Sequence, residues 1–336
     1  MPGWGRIASC LRESITESLS SVSIVILGSR GLVGSALCRQ LASKSIDFIP
    51  ATRELIDITN PKSINQFFEL HRPSVVIAAA AKVGGLMANY EFPVEFLTEN
   101  VLSQTYLMEA SHRFDVEKFI FLGSSCIYPR DAEQPISESS LLTGPLEVTN
   151  EAYSIAKITG VKLIQGYRRE YGRNWISVMP TNLYGINDNF DLRTSHALPA
   201  LMRKFHDAKT NQKDSVELWG TGNPRREFMF SDDFASALLH VVENYDDEAP
   251  INIGTGQDIS ILELSAIMRQ VVGFNGEIVW NKTVPDGTFR KLLDVSKLKS
   301  LNWSPPHTLT EGIKKTYDWF KDNYNNARLS VNISSH

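Results

Sequence analysis

The first apolar run of the chain leads directly into a glycine-rich segment. Ile24-Val25-Ile26-Leu27 is followed by Gly28-Ser29-Arg30-Gly31-Leu32-Val33-Gly34, after which apolar residues recur with helical spacing. Glycines at this spacing between a strand and a helix allow a tight turn and a close approach of the backbone to a pyrophosphate. A glycine triplet alone is weak evidence, but this placement strengthens it. We therefore predict a dinucleotide-binding loop at 28–34.

Short β-branched runs alternate with amphipathic segments of helical length through the first half of the chain. The runs lie at 24–27, 48–50, 75–78 and 118–122, and the segments lie at 31–43, 64–70 and 93–114. This order is typical of crossover units that build a parallel sheet covered on both faces. The expected fold class is α/β, a doubly wound parallel sheet of the Rossmann type with a smaller mixed α/β lobe.

Domain boundaries are predicted where this pattern changes. We expect an NADP-binding domain at 22–180 and a substrate lobe at 181–325, with exchange of elements between them left open. A flexible amino-terminal tail is expected at 1–21 and a carboxyl-terminal tail at 326–336. A transit peptide is the alternative for the first segment, but Glu13 and Glu17 argue against it because such peptides are poor in acidic residues.

Composition excludes several classes of function. The formal net charge of -4 gives no overall attraction for nucleic acid or an anionic membrane. No apolar run reaches the roughly 18 residues of a membrane-spanning helix. The three cysteines have neither disulfide-framework nor metal-ligand spacing, which suits a reducing compartment. We expect a cytoplasmic protein with no metal, nucleic-acid or membrane partner.

The end of the second predicted strand bears on the choice of cofactor. In NAD sites an acid at this point binds the ribose 2'-hydroxyl. Here Asp47 lies at the beginning of the strand and Arg53 at its end. Arg53 and Arg30 could pair with a 2'-phosphate in bidentate fashion, which favours NADP. Contact of Glu54 with the ribose remains the alternative.

A tyrosine and a lysine form the predicted reaction centre with a serine. Tyr153 and Lys157 are four positions apart in a predicted helix and share a face. Tyrosine exchanges protons at neutral pH if its pKa falls by about 3 units, and a nearby ammonium favours that fall. Ser124, at a strand end, would donate to the same substrate oxygen, so together they would polarise a carbonyl that accepts hydride. The alternatives are an amphipathic helix-edge role for Tyr153 and a plain turn for Ser124 and Ser125.

These residues resemble the extended short-chain dehydrogenase/reductase family, and further segments are similar to its GDP-L-fucose synthase family. The segments are Ala78-Ala79-Ala80-Ala81-Lys82-Val83-Gly84-Gly85, Leu122-Gly123-Ser124-Ser125-Cys126-Ile127-Tyr128-Pro129, Met179-Pro180-Thr181-Asn182-Leu183-Tyr184-Gly185, Asp188-Asn189-Phe190, Ser195-His196, Pro224-Arg225-Arg226-Glu227-Phe228 and Pro285-Asp286-Gly287-Thr288. The resemblance covers residues 23–324. Ile186, Phe230 and Phe289 depart from it, which bears on loop rigidity and substrate fit.

The resemblance implies an activity and a set of catalytic residues. That family epimerises C3 and C5 of GDP-4-keto-6-deoxy-D-mannose and reduces the C4 ketone with NADPH, giving GDP-L-fucose, and its members are homodimers. By resemblance, Cys126 and His196 form the acid/base pair for epimerisation, beside Ser124, Tyr153 and Lys157. Apart from the resemblance, a small buried cysteine and a helix-end histidine are the ordinary interpretations.

The resemblance also implies binding residues. Cofactor contacts beyond the glycine loop and Arg53 are expected at Leu122, Gly123, Ser124, Ser125, Lys157, Pro180, Thr181, Asn182, Leu183 and His196. Substrate contacts are expected at Lys204, Trp219, Arg226, Asp286 and Lys291. Arg226 would take the diphosphate, Trp219 would line the guanine pocket, and Asp286 and Lys291 would contact base or sugar. Core packing for Trp219 and a solvated turn for Arg226 remain open.

Two rival functions remain. One is another nucleotide-sugar short-chain enzyme, a 4-epimerase or a 4,6-dehydratase, but dehydratases typically have Thr-Asp-Glu where this chain has Ser124-Ser125-Cys126. The other is a non-catalytic NADP-binding protein. Such proteins often lose the tyrosine or the lysine, and this chain has both Tyr153 and Lys157.

Overall fold

Parallel strands and helices alternate along the first half of the chain in the computed structural model, which describes residues 23–284 and 286–329. The strands are β1 (Ile24–Leu27), β2 (Ile49–Ala51), β3 (Val75–Ala78), β4 (Lys118–Leu122), β5 (Ile176–Pro180), β6 (Asn182–Tyr184), β7 (Ser215–Trp219), β8 (Arg225–Phe230), β9 (Ile251–Ile253), β10 (Asp258–Ser260), β11 (Glu277–Asn281) and β12 (Arg290–Lys291). The helices are α1 (Leu32–Ser43), α2 (Pro61–His71), α3 (Leu86–Glu91), α4 (Pro93–Arg113), α5 (Glu151–Tyr171), α6 (Ala197–Thr210), α7 (Ser231–Asn244), α8 (Ile261–Val272), α9 (Ser296–Ser300) and α10 (Leu309–Asp322).

A six-stranded parallel sheet forms the centre of the fold, with strand order β2-β1-β3-β4-β5-β9. Every residue of β1, β3 and β4 is buried, because helices cover both faces of the sheet. The predicted α/β doubly wound fold is therefore confirmed. The strand β9 comes from beyond residue 180 and pairs with β5 through Val178 and Ile251, so the chain returns to this sheet after it has entered the lobe.

The smaller lobe is built on two further sheets. In the first, β8 lies between β10 and β12 and also pairs with β6, and in the second β7 pairs with β11. Helices α6, α8 and α10 pack with these strands around a separate apolar core that includes Phe190, Phe205 and Phe320. Helix α7 packs on α1 as part of the central core, and Arg39 of α1 donates to both carboxylate oxygens of Asp232 at 2.8 and 2.7 Å.

The ends of α5 matter because this helix carries the predicted Tyr-Lys pair. Its first turn contains Glu151 and its last turn contains Arg168 and Arg169, so its charges complement the helix dipole. Gly172 ends the helix in the left-handed conformation, with φ 65°. Such an end favours glycine, which has no Cβ.

The predicted tails lie largely outside the described residues. None of 1–21 is described, and of 326–336 only the first four residues are. Those four pack against the lobe: the backbone N–H of Phe190 donates to the carbonyl of Arg328 at 2.9 Å, and Arg203 donates to the carbonyl of Leu329 at 2.6 Å. Among the described residues, no helix combines the length and apolar character that crossing a membrane requires.

Candidate active site

The glycine loop lies between β1 and α1, at the carboxyl edge of the central sheet. Gly28 has φ 77°, and the N–H of Gly31 donates to its carbonyl at 2.9 Å. A Cβ at Gly34 would lie 2.1 Å from the carbonyl oxygen of Gly28, and a Cβ at Gly28 would lie 2.9 Å from the carbonyl oxygen of Ala79. Only glycine therefore fits at positions 28 and 34. Because the loop leads directly into the amino end of α1, it fits a dinucleotide pyrophosphate.

The residues predicted to select the 2'-phosphate are Arg53, just after β2, and Arg30 in the glycine loop. Ser29 donates its hydroxyl to the carbonyl of Ala51 at 3.1 Å, which fixes the loop against this strand. Arg30 pairs with Glu54 at 2.6 Å, and both side chains are exposed, as is Arg53. A hydrogen bond from the Thr52 hydroxyl, with help from Arg30, lowers the pKa of Glu54 to about 2. The clamp of Arg30 and Arg53 on a 2'-phosphate stays a prediction.

Further cofactor contacts were predicted around the ends of the neighbouring strands β4 and β5. The N–H of Gly123 donates to the carbonyl of Val178 at 2.9 Å, which joins the two strand ends. Thr181 follows β5, and its N–H donates to the carbonyl of Ile253 at 3.0 Å, while Asn182 donates its side-chain amide to the carbonyl of Glu227 at 2.8 Å. The predicted positions Leu122, Gly123, Ser124, Ser125, Pro180, Thr181, Asn182 and Leu183 therefore share one edge of the sheet with the glycine loop. Ligands of open α/β sheets bind in the crevice at that edge.

Ser124, Tyr153 and Lys157 come together directly after β4. Ser124 accepts a hydrogen bond from the N–H of Cys126 at 3.2 Å and caps a 3-10 turn at Ser125–Ile127. Its side chain also hydrogen-bonds to Tyr153, in the first turn of α5. Lys157 donates to the carbonyl of Leu122 at 2.8 Å, and its ammonium lies 5.7 Å from the centroid of the Tyr153 ring. The three side chains predicted to polarise one carbonyl therefore share a cluster.

The pKa of Tyr153 moves in the direction opposite to the one predicted. Burial raises it above its ordinary value, the nearby Cys126 raises it further, and the hydrogen bond to Ser124 lowers it in part. Burial also lowers the pKa of Lys157 to about 8. The expectation that the ammonium would bring the tyrosine close to neutral pH is therefore wrong for this protein, because loss of hydration outweighs the charge. Tyr153 keeps its proton at neutral pH and is placed to act as an acid.

The thiol of Cys126 lies beside this cluster with two nitrogen donors around it. Asn150 donates its side-chain amide to the sulfur at 3.2 Å, and the ammonium of Lys291 lies 3.9 Å from it. Cys126 also packs against the small apolar cluster of Ala88, Phe96 and Tyr153. Lys291, predicted to contact base or sugar, thus lies at the reaction centre. Asn150 was not predicted, although it directly precedes the segment that begins at Glu151.

His196 stands immediately before α6 and is held through the loop that precedes α3. The N–H of Gly85 donates to the carbonyl of Thr194 at 2.8 Å, and a Cβ at Gly85 would lie 2.8 Å from the carbonyl oxygen of Ser195. His196 as a whole is exposed, yet loss of hydration around its ring lowers the pKa of the imidazole. Among the described residues, its ring makes no hydrogen bond to Cys126.

Two predicted substrate residues, the exposed Trp219 and the half-buried Lys204, form an aromatic and cationic pair. The ammonium of Lys204 lies 5.0 Å from the centroid of the Trp219 ring and donates to the carbonyl of Glu217 at 3.2 Å. The side chain of Trp219 is 61% exposed. Core packing, the alternative left open for Trp219, is therefore wrong. An exposed indole next to a fixed cation suits a planar, electron-rich base.

Asp286 and Arg226 lie on the segments next to this pair. Asp286 accepts two hydrogen bonds from Thr221, from its N–H at 2.9 Å and from its hydroxyl at 2.6 Å, so it holds the loop that follows Trp219. Arg226 is half-buried on β8 and pairs in register with Lys291 of β12. Its burial lowers the pKa of the guanidinium, and the solvated turn left open for it does not fit this environment.

The strand that carries Lys291 is fixed from both sides by residues that the sequence did not identify. Gln134 accepts from the N–H of Leu292 at 2.8 Å, and the buried Glu227 accepts from the N–H of Leu293 at 3.1 Å. Glu227 lies inside the Pro224–Phe228 segment, so a sequence motif pointed to it, whereas no motif pointed to Gln134.

Among the described residues, no group of three or more His, Cys, Asp and Glu side chains could hold a metal ion.

Comparisons with known proteins identify the family to which the chain belongs. The model of the NAD dependent epimerase/dehydratase family matches residues 24–254. "Putative GDP-L-fucose synthase 2" of Arabidopsis thaliana is 48% identical over 304 residues, which are 90% of this chain and 93% of that protein. "GDP-L-fucose synthase" of Escherichia coli is 44% identical over 320 residues, covering 92% of this chain and 100% of that protein. The structure of a GDP-L-fucose synthetase from Naegleria fowleri bound to NADP superposes with a TM-score of 0.87 at 32% identity, over 94% and 98% of the two chains.

Proposed function

The chain belongs to the NAD dependent epimerase/dehydratase family, and we propose that within it the protein is an NADPH-dependent GDP-L-fucose synthase. It epimerises C3 and C5 of GDP-4-keto-6-deoxy-D-mannose and reduces the C4 ketone. The observation that carries this proposal is the thiol of Cys126, which lies against Tyr153 and next to Ser124 in a chain 44% identical to the Escherichia coli enzyme. A plain ketone reductase needs the serine, the tyrosine and Lys157, but it has no use for the thiol.

Epimerisation requires that a carbon next to the ketone loses a proton on one face and regains one on the other. The electron pair moves onto the C4 oxygen, where the hydroxyls of Ser124 and Tyr153 donate to the enolate. Cys126 and His196 are the two groups that exchange protons with carbon. Burial lowers the pKa of the imidazole, so His196 is present at pH 7 in the neutral form that can act as a base.

Reduction uses the same oxygen site. The nicotinamide supplies hydride to C4 when NADPH is bound. Tyr153, whose raised pKa keeps it protonated, gives its proton to the C4 oxygen. Lys157, within 5.7 Å of the tyrosine ring, then stabilises the negative charge that remains on the phenol oxygen.

The proposed ligand contacts divide between the two halves of the molecule, with the cofactor in the first half and the nucleotide sugar in the lobe. The glycine loop takes the cofactor pyrophosphate, Arg53 and Arg30 take the 2'-phosphate, and residues 122–125 and 180–183 line the nicotinamide half. In the lobe, Trp219 and Lys204 bind the guanine. Arg226 binds the diphosphate, with Asp286 holding the adjacent loop.

Activity with the named substrate tests the function directly. Purified protein supplied with GDP-4-keto-6-deoxy-D-mannose and NADPH should oxidise the cofactor and form GDP-L-fucose, as followed by absorbance and by chromatography of the sugar nucleotide. A Tyr153→Phe variant is the matched inactive control. Protein that binds NADPH without consuming it would refute the proposal, and a reduced product that keeps the C3 and C5 configuration of the substrate would indicate a reductase without epimerase activity.

The role of the thiol is tested by isotope exchange. Cys126→Ser should slow the entry of solvent deuterium at C3 or C5 in the absence of hydride transfer, because a hydroxyl exchanges protons poorly at neutral pH. Cys38→Ser is the control, since that half-buried thiol lies on α1. Exchange at the wild-type rate in Cys126→Ser would return Cys126 to a packing role.

We also propose that the protein is a cytoplasmic homodimer. Helices α4 and α5 pack on each other and present three large apolar side chains to solvent: Val94 at 73% exposure, Leu102 at 41% and Ile155 at 42%. A second copy of these helices would cover them. Light scattering should give twice the chain mass of 37.6 kDa, and Ile155→Glu should give the monomer. A monomeric wild-type protein would refute the dimer.

A further inference from the structure

Asn150 occupies a fixed position between the two halves of the reaction centre. It ends the 3-10 turn Val148–Asn150 and directly precedes α5, whose first turn carries Tyr153. Its N–H donates to the carbonyl of Glu147 at 3.2 Å. Because its backbone belongs to the start of the same helix, Asn150 cannot move independently of the tyrosine.

The side-chain amide of Asn150 is oriented by a buried serine. The hydroxyl of Ser154 donates to the backbone carbonyl of Asn150 at 3.0 Å and lies 3.4 Å from its Oδ1. Ser154 is completely buried. Since the amide oxygen faces this hydroxyl, the amide nitrogen faces the opposite way, toward the sulfur of Cys126 at 3.2 Å.

The other donor near the sulfur, Lys291, is attached to a different part of the fold. Lys291 lies 3.9 Å from the sulfur, at the limit of a hydrogen bond to sulfur, and it reaches the thiol from β12 of the lobe. Asn150 is nearer, uncharged and attached to the helix that carries Tyr153 and Lys157. It therefore holds the sulfur relative to the phenol whatever the position of the lobe strand.

We propose that Asn150 is a positioning residue for epimerisation, whose amide N–H donates to the sulfur of Cys126, fixes its direction and stabilises the thiolate. The inference rests on the proposed function. In the exchange step the thiolate takes a proton from the carbon next to the ketone: an S–H bond forms, the C–H bond breaks and the electron pair moves to the C4 oxygen. The hydrogen bond from Asn150 is strongest when the sulfur is negative, so it acts on the thiol chemistry and leaves hydride transfer unaffected.

The test separates proton exchange from hydride transfer in one variant. Asn150→Ala should slow Cys126-dependent deuterium entry into the sugar by about ten- to hundred-fold, the range for a lost hydrogen bond to a charged group. Oxidation of GDP-L-fucose by NADP, whose first step needs no epimerisation, should stay within about threefold of wild type. Asn150→Asp should slow exchange further than Asn150→Ala, because a carboxylate repels the thiolate.

A double-mutant cycle shows whether the effect passes through the thiol. In the Cys126→Ser background, Asn150→Ala should change deuterium entry by less than about twofold, since the partner is already gone. Asn244→Ala, an exposed asparagine at the end of α7 that donates to the carbonyl of His240, is the matched control and should leave both reactions unchanged.

Two outcomes overturn the inference. Equal loss of exchange and of hydride transfer in Asn150→Ala would mean that the residue only supports the helix start, and wild-type exchange would mean that it has no role at the thiol. Failure of the wild-type protein to convert the keto sugar would refute the proposed function instead. Failure of the inference and failure of the proposed function therefore give different experimental results.

Discussion

Replacement of Lys157 by methionine tests how much of the reduction depends on one buried charge. Lys157 is fixed by its hydrogen bond to the carbonyl of Leu122 at 2.8 Å, and its ammonium lies 5.7 Å from the ring centroid of Tyr153. Once the tyrosine has given up its proton, the phenol oxygen carries a negative charge opposite this ammonium. Methionine keeps the length and apolar stem of the side chain but removes the charge, so Lys157→Met isolates the electrostatic contribution.

The distance sets the expected magnitude. With the phenolate charge placed at the ring centroid, 5.7 Å from the ammonium, and an effective dielectric constant of about 20, the two unit charges interact by about 3 kcal/mol. That energy corresponds to roughly a hundredfold in rate. We therefore expect Lys157→Met to reduce the hydride-transfer rate about a hundredfold. Because burial lowers the pKa of Lys157 to about 8, protonated lysine dominates below that pH, and the wild-type rate should fall as the pH rises through about 8.

Single-turnover oxidation of bound NADPH gives the rate without interference from product release. Lys162→Met provides the matched control, since Lys162 lies on the same helix, is exposed and contacts Gln165 at 3.0 Å. The control should keep both the wild-type rate and its fall above pH 8, whereas the rate of Lys157→Met should be independent of pH in this range. A loss below about tenfold in Lys157→Met, or an unchanged pH profile, would show that the ammonium does not act through charge on Tyr153.

Three further substitutions test the fold and the cofactor loop. Tyr128→Phe leaves the buried Oδ1 of Asn252 without the hydroxyl that now donates at 2.6 Å, so urea titration should show a loss of about 1–3 kcal/mol in the free energy of unfolding, and a change under about 0.5 kcal/mol would contradict this. Gly34→Ala would place a Cβ 2.1 Å from the carbonyl oxygen of Gly28, so NADPH binding, measured by fluorescence titration, should be lost; wild-type affinity would refute the tight loop. Burial lowers the pKa of Lys118 to about 7, so between about pH 7 and 10 the unfolded chain binds more protons and the free energy of unfolding should rise with pH. Lys118→Met should lose that rise, and equal slopes for the two proteins would contradict the assignment.

Local pattern was enough to predict most elements of the fold. The helix expected at 93–114 is observed as Pro93–Arg113, and the strand expected at 118–122 is observed as Lys118–Leu122. These signals lie within single segments, because periodicity and β-branched content act over a few residues. Exchange of elements between the two domains was left open, and the structure shows one: β9, from beyond residue 180, lies beside β5 in the central sheet. Pairing across that sequence separation depends on the topology of the whole chain, which no local pattern contains.

The site shows the same division between local and global information. The spacing of Tyr153 and Lys157 predicted a shared helix face, and the structure brings both to Ser124. The direction of the tyrosine pKa shift was predicted wrongly, because the degree of burial depends on packing from α3 and α4 that is remote in sequence. The approach of Lys291 to Cys126 was not foreseen either, since it requires β12 to lie between the lobe sheet and the segment around Gln134.

The position of β12 links nucleotide recognition to the thiol. Arg226 and Lys291 are register partners on adjacent strands, and paired strands lie about 4.8 Å apart. Lys291 at the same time lies 3.9 Å from the sulfur of Cys126. A diphosphate held by Arg226 would therefore fix β12, and with it the ammonium beside the thiol. Glu227, the next residue of β8, also accepts a hydrogen bond from the N–H of Leu293, just after β12, so a displacement of β8 would move Lys291 relative to the sulfur. On the proposed binding mode, a nucleotide held by Arg226 would therefore keep in place the Lys291 ammonium that already lies beside the thiol.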